Sequence, residues 1–179
     1  MPSYFLSLLH AAIREASPIV RQYGLGAVTA AIFIENMGGV FIPGESLMVA
    51  SGFLAAKGLF PLWALIALAI AAATIGSYVA FALGSRLGRE GLLRWGRRIG
   101  LTEARLDKTH AFFERFGPLI ILVGRFIVPL RQLQGYVAGT AKMTPRAFGL
   151  WSLVGAILWV IVWGGGAYWF AGDLLPKSP

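Results

Sequence analysis

The sequence predicts an all-α integral membrane protein: an inverted repeat of a re-entrant helical hairpin plus a transmembrane helix, with an N-terminal amphipathic helix and an amphipathic cytoplasmic connector. Three observations lead to it. The chain of 179 residues is 57% hydrophobic and only 13% charged, with a mean hydropathy of +0.70, beyond the usual composition of a soluble domain. No Asp, Glu, Lys or Arg lies between Lys57 and Arg86, or between Arg146 and Asp173, so each run can cross a bilayer. Two further apolar stretches are each cut by Pro and Gly beside isolated charges.

Residues 1–21 read as a helix lying in the membrane interface. Phe5, Leu8, Leu9, Ala12, Ile13 and Ala16 recur at helical spacing, with Ser7, His10, Arg14 and Ser17 between them. No basic segment precedes the apolar part, and Arg14 and Glu15 interrupt it, which argues against a signal peptide. Residues 22–56 hold Glu35 and Glu45 as their only charges, and Gly38, Gly39, Pro43 and Gly44 divide them in two. The piece from Gln22 to Ile34 reaches ~20 Å, short of the ~30 Å hydrocarbon core. It is therefore expected to enter and leave on one side. Residues 58–85 form the first spanning helix, with Trp63 near one end.

Residues 86–115 carry eight Arg or Lys against four Asp or Glu, so this connector is expected on the cytoplasmic side. His110, beside Phe112 and Phe113, fits an amphipathic helix on the membrane surface. Residues 116–141 repeat the broken pattern: their only charges are Arg125 and Arg131, and Pro129 and Gly135 interrupt them. Residues 147–172 form the second spanning helix, flanked by Trp151 and Trp169. Within it Trp159 and Trp163 read as packing residues, and Gly164, Gly165 and Gly166 as a place where a neighbouring helix comes close. The whole, 1–179, is one membrane domain.

An internal repeat supports this division. Ile42-Pro43-Gly44-Glu45 resembles Val128-Pro129-Leu130-Arg131; Gly52 and Gly139 follow, then Pro61 and Pro145 open the spanning runs, and Tyr78 and Tyr168 recur late in both. Hairpin plus one crossing is an odd number of passages, so the second copy is inverted. Opposed broken helices of this kind are a transporter plan.

The chemistry rests on Glu35, Glu45, Arg125 and Arg131, supported at the hairpin tips by Pro43, Gly44, Pro129 and Gln132. Each charge would cost ~2.5–3.5 kcal/mol or more at the centre of a lipid-facing helix, so all four are expected to face inward. Arginine forks bind phosphate, and buried carboxylates can take up and release protons. The alternative is that the four charges are structural ion pairs clipping the hairpins together. With no cysteine, two distant histidines, no Gly-rich phosphate loop and no Ser-His-Asp grouping, no metal, cofactor or enzymatic activity is expected. The formal charge of +8 gathers between apolar runs and does not form a stripe with aromatics, so nucleic acid is not an expected partner.

These residues resemble the DedA family, the bacterial branch of the VTT or SNARE-associated superfamily. The likeness rests on Phe33-Ile34-Glu35-Asn36, on Ile42-Pro43-Gly44-Glu45-Ser46 with Ser51-Gly52-Phe53-Leu54-Ala55, on Gly124-Arg125-Phe126 through Arg131, and on Ala138-Gly139-Thr140-Ala141-Lys142-Met143. The family's two membrane acids and two arginines map onto Glu35, Glu45, Arg125 and Arg131. The resemblance implies a multi-pass protein of the bacterial plasma membrane that flips undecaprenyl phosphate or another phospholipid, with protons as the coupling ion and with homo-oligomers admitted. A proton-coupled exporter or antiporter of small cations or drugs, supporting membrane potential and pH homeostasis, is the other transport reading. A scaffold in envelope assembly is the non-transport one.

Overall fold

The computed structural model describes residues 18, 20, 22–39, 43–97 and 102–174, so most of the expected interfacial helix over 1–21 lies outside the described residues. Among the described residues all regular structure is helical, with no strand. Helix α1 covers residues 22–36 and α2 is Gly44–Ala56; α3, Leu62–Gly96, follows Pro61, whose extended backbone starts it cleanly. Helix α4, Glu103–Phe116, is capped by Thr102, whose hydroxyl accepts from the Arg105 amide at 3.3 Å. Then come α5, Leu119–Gly124, α6, Val128–Thr140, and α7, Pro145–Val160. A π-turn over Ile161–Gly165 joins α7 to α8, Gly166–Leu174.

Two stretches are apolar and long enough to cross a membrane, Leu62–Arg94 and Pro145–Ala171. Their outer faces carry exposed large side chains, among them Ile75, Leu150, Ile161 and Val162, with Trp63 and Trp169 about three-quarters exposed (73% and 76%). An apolar band of this size with indoles toward its ends suits lipid, not water. By contrast α2 and α6 have 13 residues each, or ~20 Å of helix.

Helix α3 runs well past the expected end of the first span at 85. Arg and Leu are good helix formers, so basic charge alone does not end a helix; the axis breaks only at Gly88, where φ is 64°. Beyond the break, Arg89 pairs with Asp107 of α4 at 2.6 Å, and Leu92 and Leu93 pack with Leu106 and Val137. The connector is thus folded back against α6.

The short helices are seated on the long ones through small residues. A β-carbon on Gly135 of α6 would lie 2.8 Å from both Ala80 Cβ and the Ser77 carbonyl of α3, and one on Gly52 of α2 would lie 2.9 Å from Ala167 Cβ of α8. Each short helix therefore packs on the long helix of the other half, at backbone contact. The main core joins Val28, Ile32, Met48, Leu54, Leu65, Ala73 and Trp159, and a second cluster stacks Phe81 on Phe148 at 4.6 Å.

The repeat is visible in the backbone. Helices α2 and α6 begin 84 positions apart, and each ends in the same turn. In the first half Lys57, Gly58 and Leu59 donate to Phe53, Ala55 and Leu54; in the second Ala141, Lys142 and Met143 donate to Val137, Gly139 and Ala138. Under that register Gly52 and Gly139, paired in the sequence, stand three residues out of step. What corresponds is the turn and the proline three residues after it, Pro61 or Pro145.

Candidate functional site

All four expected charges lie at helix breaks. Glu35 is in the last turn of α1, Glu45 in the first turn of α2, Arg125 follows α5, and Arg131 lies in the first turn of α6. Three of them meet. The Arg131 guanidinium reaches Glu35 Oε1 through Nη2 at 2.5 Å and Glu45 Oε1 through Nη1, so one fork holds both acids. Arg131 and Glu35 are fully buried, whereas the Glu45 side chain is 26% exposed. The cluster thus opens on the Glu45 side.

Local backbone chemistry fixes these positions. Pro43 supplies no side-chain cap to α2; instead Glu35 Oε1 accepts from the Gly44 amide at 3.3 Å, satisfying a donor that a helix start leaves free. A β-carbon on Gly44 would fall inside contact distance of that carboxylate, so any larger residue here must displace Glu35. Glu35 Oε2 is buried without a protein partner. The face of Arg131 is covered by Trp159 of α7, 5.1 Å from guanidinium carbon to ring centre, a cation–π contact in a dry setting.

Arg125 occupies a different environment. Its Nη1 donates to Asn36 Oδ1 at 3.1 Å, and its Nη2 donates to Ser77 Oγ at 3.1 Å and to the Ser152 hydroxyl and carbonyl at 2.9 and 3.2 Å. Asn36 is itself held by the Ile32 carbonyl and by Ser77. One fully buried cation therefore ties α1, α3 and α7 to the break after α5, using only neutral acceptors. It communicates with the acid cluster through its own carbonyl, which accepts from Arg131 Nη1 at 3.4 Å.

Pro43 and Gly44 mark the start of α2 and Pro129 falls at the first positions of α6, while Gln132 is buried one residue after Arg131. Sequence reasoning gave no site role to Asn36, Ser77 or Ser152, and read Trp159 as a packing residue. A signal existed for two of them: Ser77 and Ser152 are polar residues inside the two uncharged spanning runs, where a hydroxyl needs a partner. Among the described residues there is no group of His, Cys, Asp and Glu able to hold a metal.

A helical protein with lipid-suited long helices and a buried ion-pair cluster at its helix breaks belongs among membrane proteins. Comparison with known sequences makes the class specific. Residues 42–168 match the VTT domain, a segment that includes Glu45, Arg125 and Arg131. The chain is 31% identical over 176 residues to Protein DedA of Escherichia coli (strain K12), covering 93% of this chain and 80% of that one. It is 33% identical over 144 residues to an uncharacterized membrane protein of Synechocystis sp., covering 80% of this chain and 66% of that one. It is also 31% identical over 135 residues to Inner membrane protein YghB of Escherichia coli (strain K12), covering 74% and 61%. No solved structure matches. The chain belongs to the DedA family of VTT-domain membrane proteins.

Proposed function

We propose that this protein is a multi-pass transporter of the bacterial plasma membrane that moves a phosphate-bearing lipid, undecaprenyl phosphate or another phospholipid, between leaflets. In this reading α1–α2 and α5–α6 are re-entrant hairpins, inverted with respect to each other, and their breaks meet near the midplane. The observation that carries it is the single arginine fork shared by two carboxylates. A cation so placed exchanges one anionic partner for another, and phosphate, like carboxylate, accepts both arms of a guanidinium fork.

Charge balance supports coupling to protons. Glu35, Glu45 and Arg131 sum to one negative charge, and Arg125 brings the four to zero. A headgroup entering in its singly charged form restores neutrality together with one proton, and Glu45, the acid with partial access, is where it would be taken up. Arg131 then releases Glu45 and holds the phosphate, while Arg125, whose two terminal nitrogens are engaged by Asn36, Ser77 and Ser152, positions the breaks and does not touch the headgroup. The lipid tail stays in the bilayer throughout. The role is transport, with no catalysed bond change.

The test is headgroup flipping in proteoliposomes of the purified chain, using a fluorescent phosphate lipid. Arg131→Ala and Glu45→Gln are expected to abolish flipping while insertion is retained; a wild-type rate in Arg131→Ala refutes the proposal. The excess of two acids over one arginine in the cluster favours a second reading, cation–proton exchange. Vesicles loaded with pyranine separate the two, because an exchanger moves protons on addition of cation with no lipid substrate present.

A further inference from the structure

The turn that closes α2 and the turn that closes α6 have the same hydrogen bonds but not the same residue at the left-handed position. In the first half that residue is Gly58, with φ 78°; in the second it is Lys142, with φ 56°. This is the position where helices end on glycine, because a β-carbon there crowds the following carbonyl. Lys142 is the one residue other than glycine with positive φ among the described residues. The chain thus contains the unstrained solution 84 positions earlier and does not use it here. Strain retained where glycine would relieve it points to the side chain.

Lys142 is among the residues lining a cavity of about 390 Å³ between α4 and the base of the α5–α6 unit. Both ends of that unit contribute, Gly117 and Pro118 from its start, Thr140 and Met143 from its close, with His110 and Phe113 from α4. His110 Nε2 lies 2.9 Å from the Thr140 hydroxyl, which also donates to the Val137 carbonyl, so the polar wall is built into the fold. Among the described residues no carboxylate is within ion-pair distance of Lys142. A lining that combines a cation and an imidazole with Phe113, Pro118 and Met143 suits a molecule with an anionic head and an apolar body. The basic connector lies alongside.

We infer that this cavity is a second site, a phosphate-binding port at the base of α5–α6 in which Lys142 recognises the phosphate monoester of a lipid headgroup before it reaches Arg131. The inference rests on the transport reading for its biological sense, but the site is tested by binding alone. Full-length protein in neutral detergent is titrated calorimetrically with dihexanoyl phosphatidate, dihexanoyl phosphatidylcholine and inorganic phosphate. Wild type is expected to bind the phosphatidate, and Lys142→Gly and Lys142→Gln to lose roughly tenfold or more in affinity, the loss of one charge-assisted contact. Lys142→Arg keeps it. Lys142→Gly is also expected to melt about 2–4 °C higher, because the strained turn becomes a glycine turn.

Binding of inorganic phosphate with the same dependence on Lys142 assigns the port to the free anion as well; binding of phosphatidate alone assigns it to lipid. Both uphold the site. Equal phosphatidate affinity in wild type, Lys142→Gly and Lys142→Gln overturns it, as does equal affinity for phosphatidylcholine. Arg131→Ala keeps the two proposals apart: with the Arg131 site removed, it should still bind phosphatidate in a Lys142-dependent way and fail to flip. Lost binding in that variant overturns the port as a separate site, whereas normal flipping overturns the transport reading and leaves the port standing.

Discussion

Replacing Arg131 by Gln leaves Glu35 fully buried, with Oε1 retaining only the Gly44 amide and Oε2 no protein partner. Breaking a buried pair from one side costs ~3–5 kcal/mol, because the surviving charge is uncompensated. Glu35→Gln is milder, since Arg131 keeps Glu45; the loss of one hydrogen bond to a charged group is ~1.5–3 kcal/mol. With both changes made, no buried charge is stranded between these two positions. The double variant should therefore be no less stable than Arg131→Gln alone, and the coupling between the sites should be about 2 kcal/mol or more. The same cycle between Arg131 and Glu45 should give a smaller value, because Glu45 is reached by solvent. Reversible unfolding in mixed micelles of dodecyl sulfate and a neutral detergent, followed by helical circular dichroism, measures all the variants. A Glu35–Arg131 coupling below ~0.5 kcal/mol, the level of an exposed pair, refutes the account of the cluster.

Two further substitutions probe the surroundings. Gly44→Ala forces the Glu35 carboxylate off the start of α2 and should destabilise by ~1–3 kcal/mol in the same unfolding assay while lowering the flipping rate. Arg125→Lys keeps the charge but offers one nitrogen in place of a fork that serves Asn36, Ser77 and Ser152. It should lose at least the bond to Asn36, ~1.5–3 kcal/mol, with Asn36→Ala non-additive with it in a double-variant cycle.

Much of the helical plan was legible because lipid imposes a coarse rule. Apolar length and the positions of Pro and Gly separated the long helices from the short ones, and the scarcity of charges inside apolar stretches marked Glu35, Glu45, Arg125 and Arg131. The rule says that such charges turn inward; it does not say which neighbour each one finds. Arg125 and Arg131 read alike in sequence, yet one ended among neutral oxygens and the other between two acids. That difference depends on Ser77 and Ser152, which lie on long helices far away in the chain. The extension of α3 to Gly96 was hidden for another reason: Arg86, Arg89 and Arg94 look like loop composition, but their long stems are as compatible with a helix as leucine is. Trp159 was read as packing, and it packs, but against a guanidinium face that periodicity does not reveal.

The π-turn at Ile161–Gly165 has a consequence for how the two halves are phased. One residue of α-helix is a rotation of ~100°, so a turn holding one residue more than usual offsets everything after it by about that angle. Before the turn stands Trp159, aimed at Arg131; after it stand Ala167 and its neighbours, aimed at Gly52. Deleting a single residue there would leave a smooth rod of almost the same length whose indole and docking seat point in incompatible directions. The bulge is a clocking mark, and it lets one rod serve two customers on different bearings.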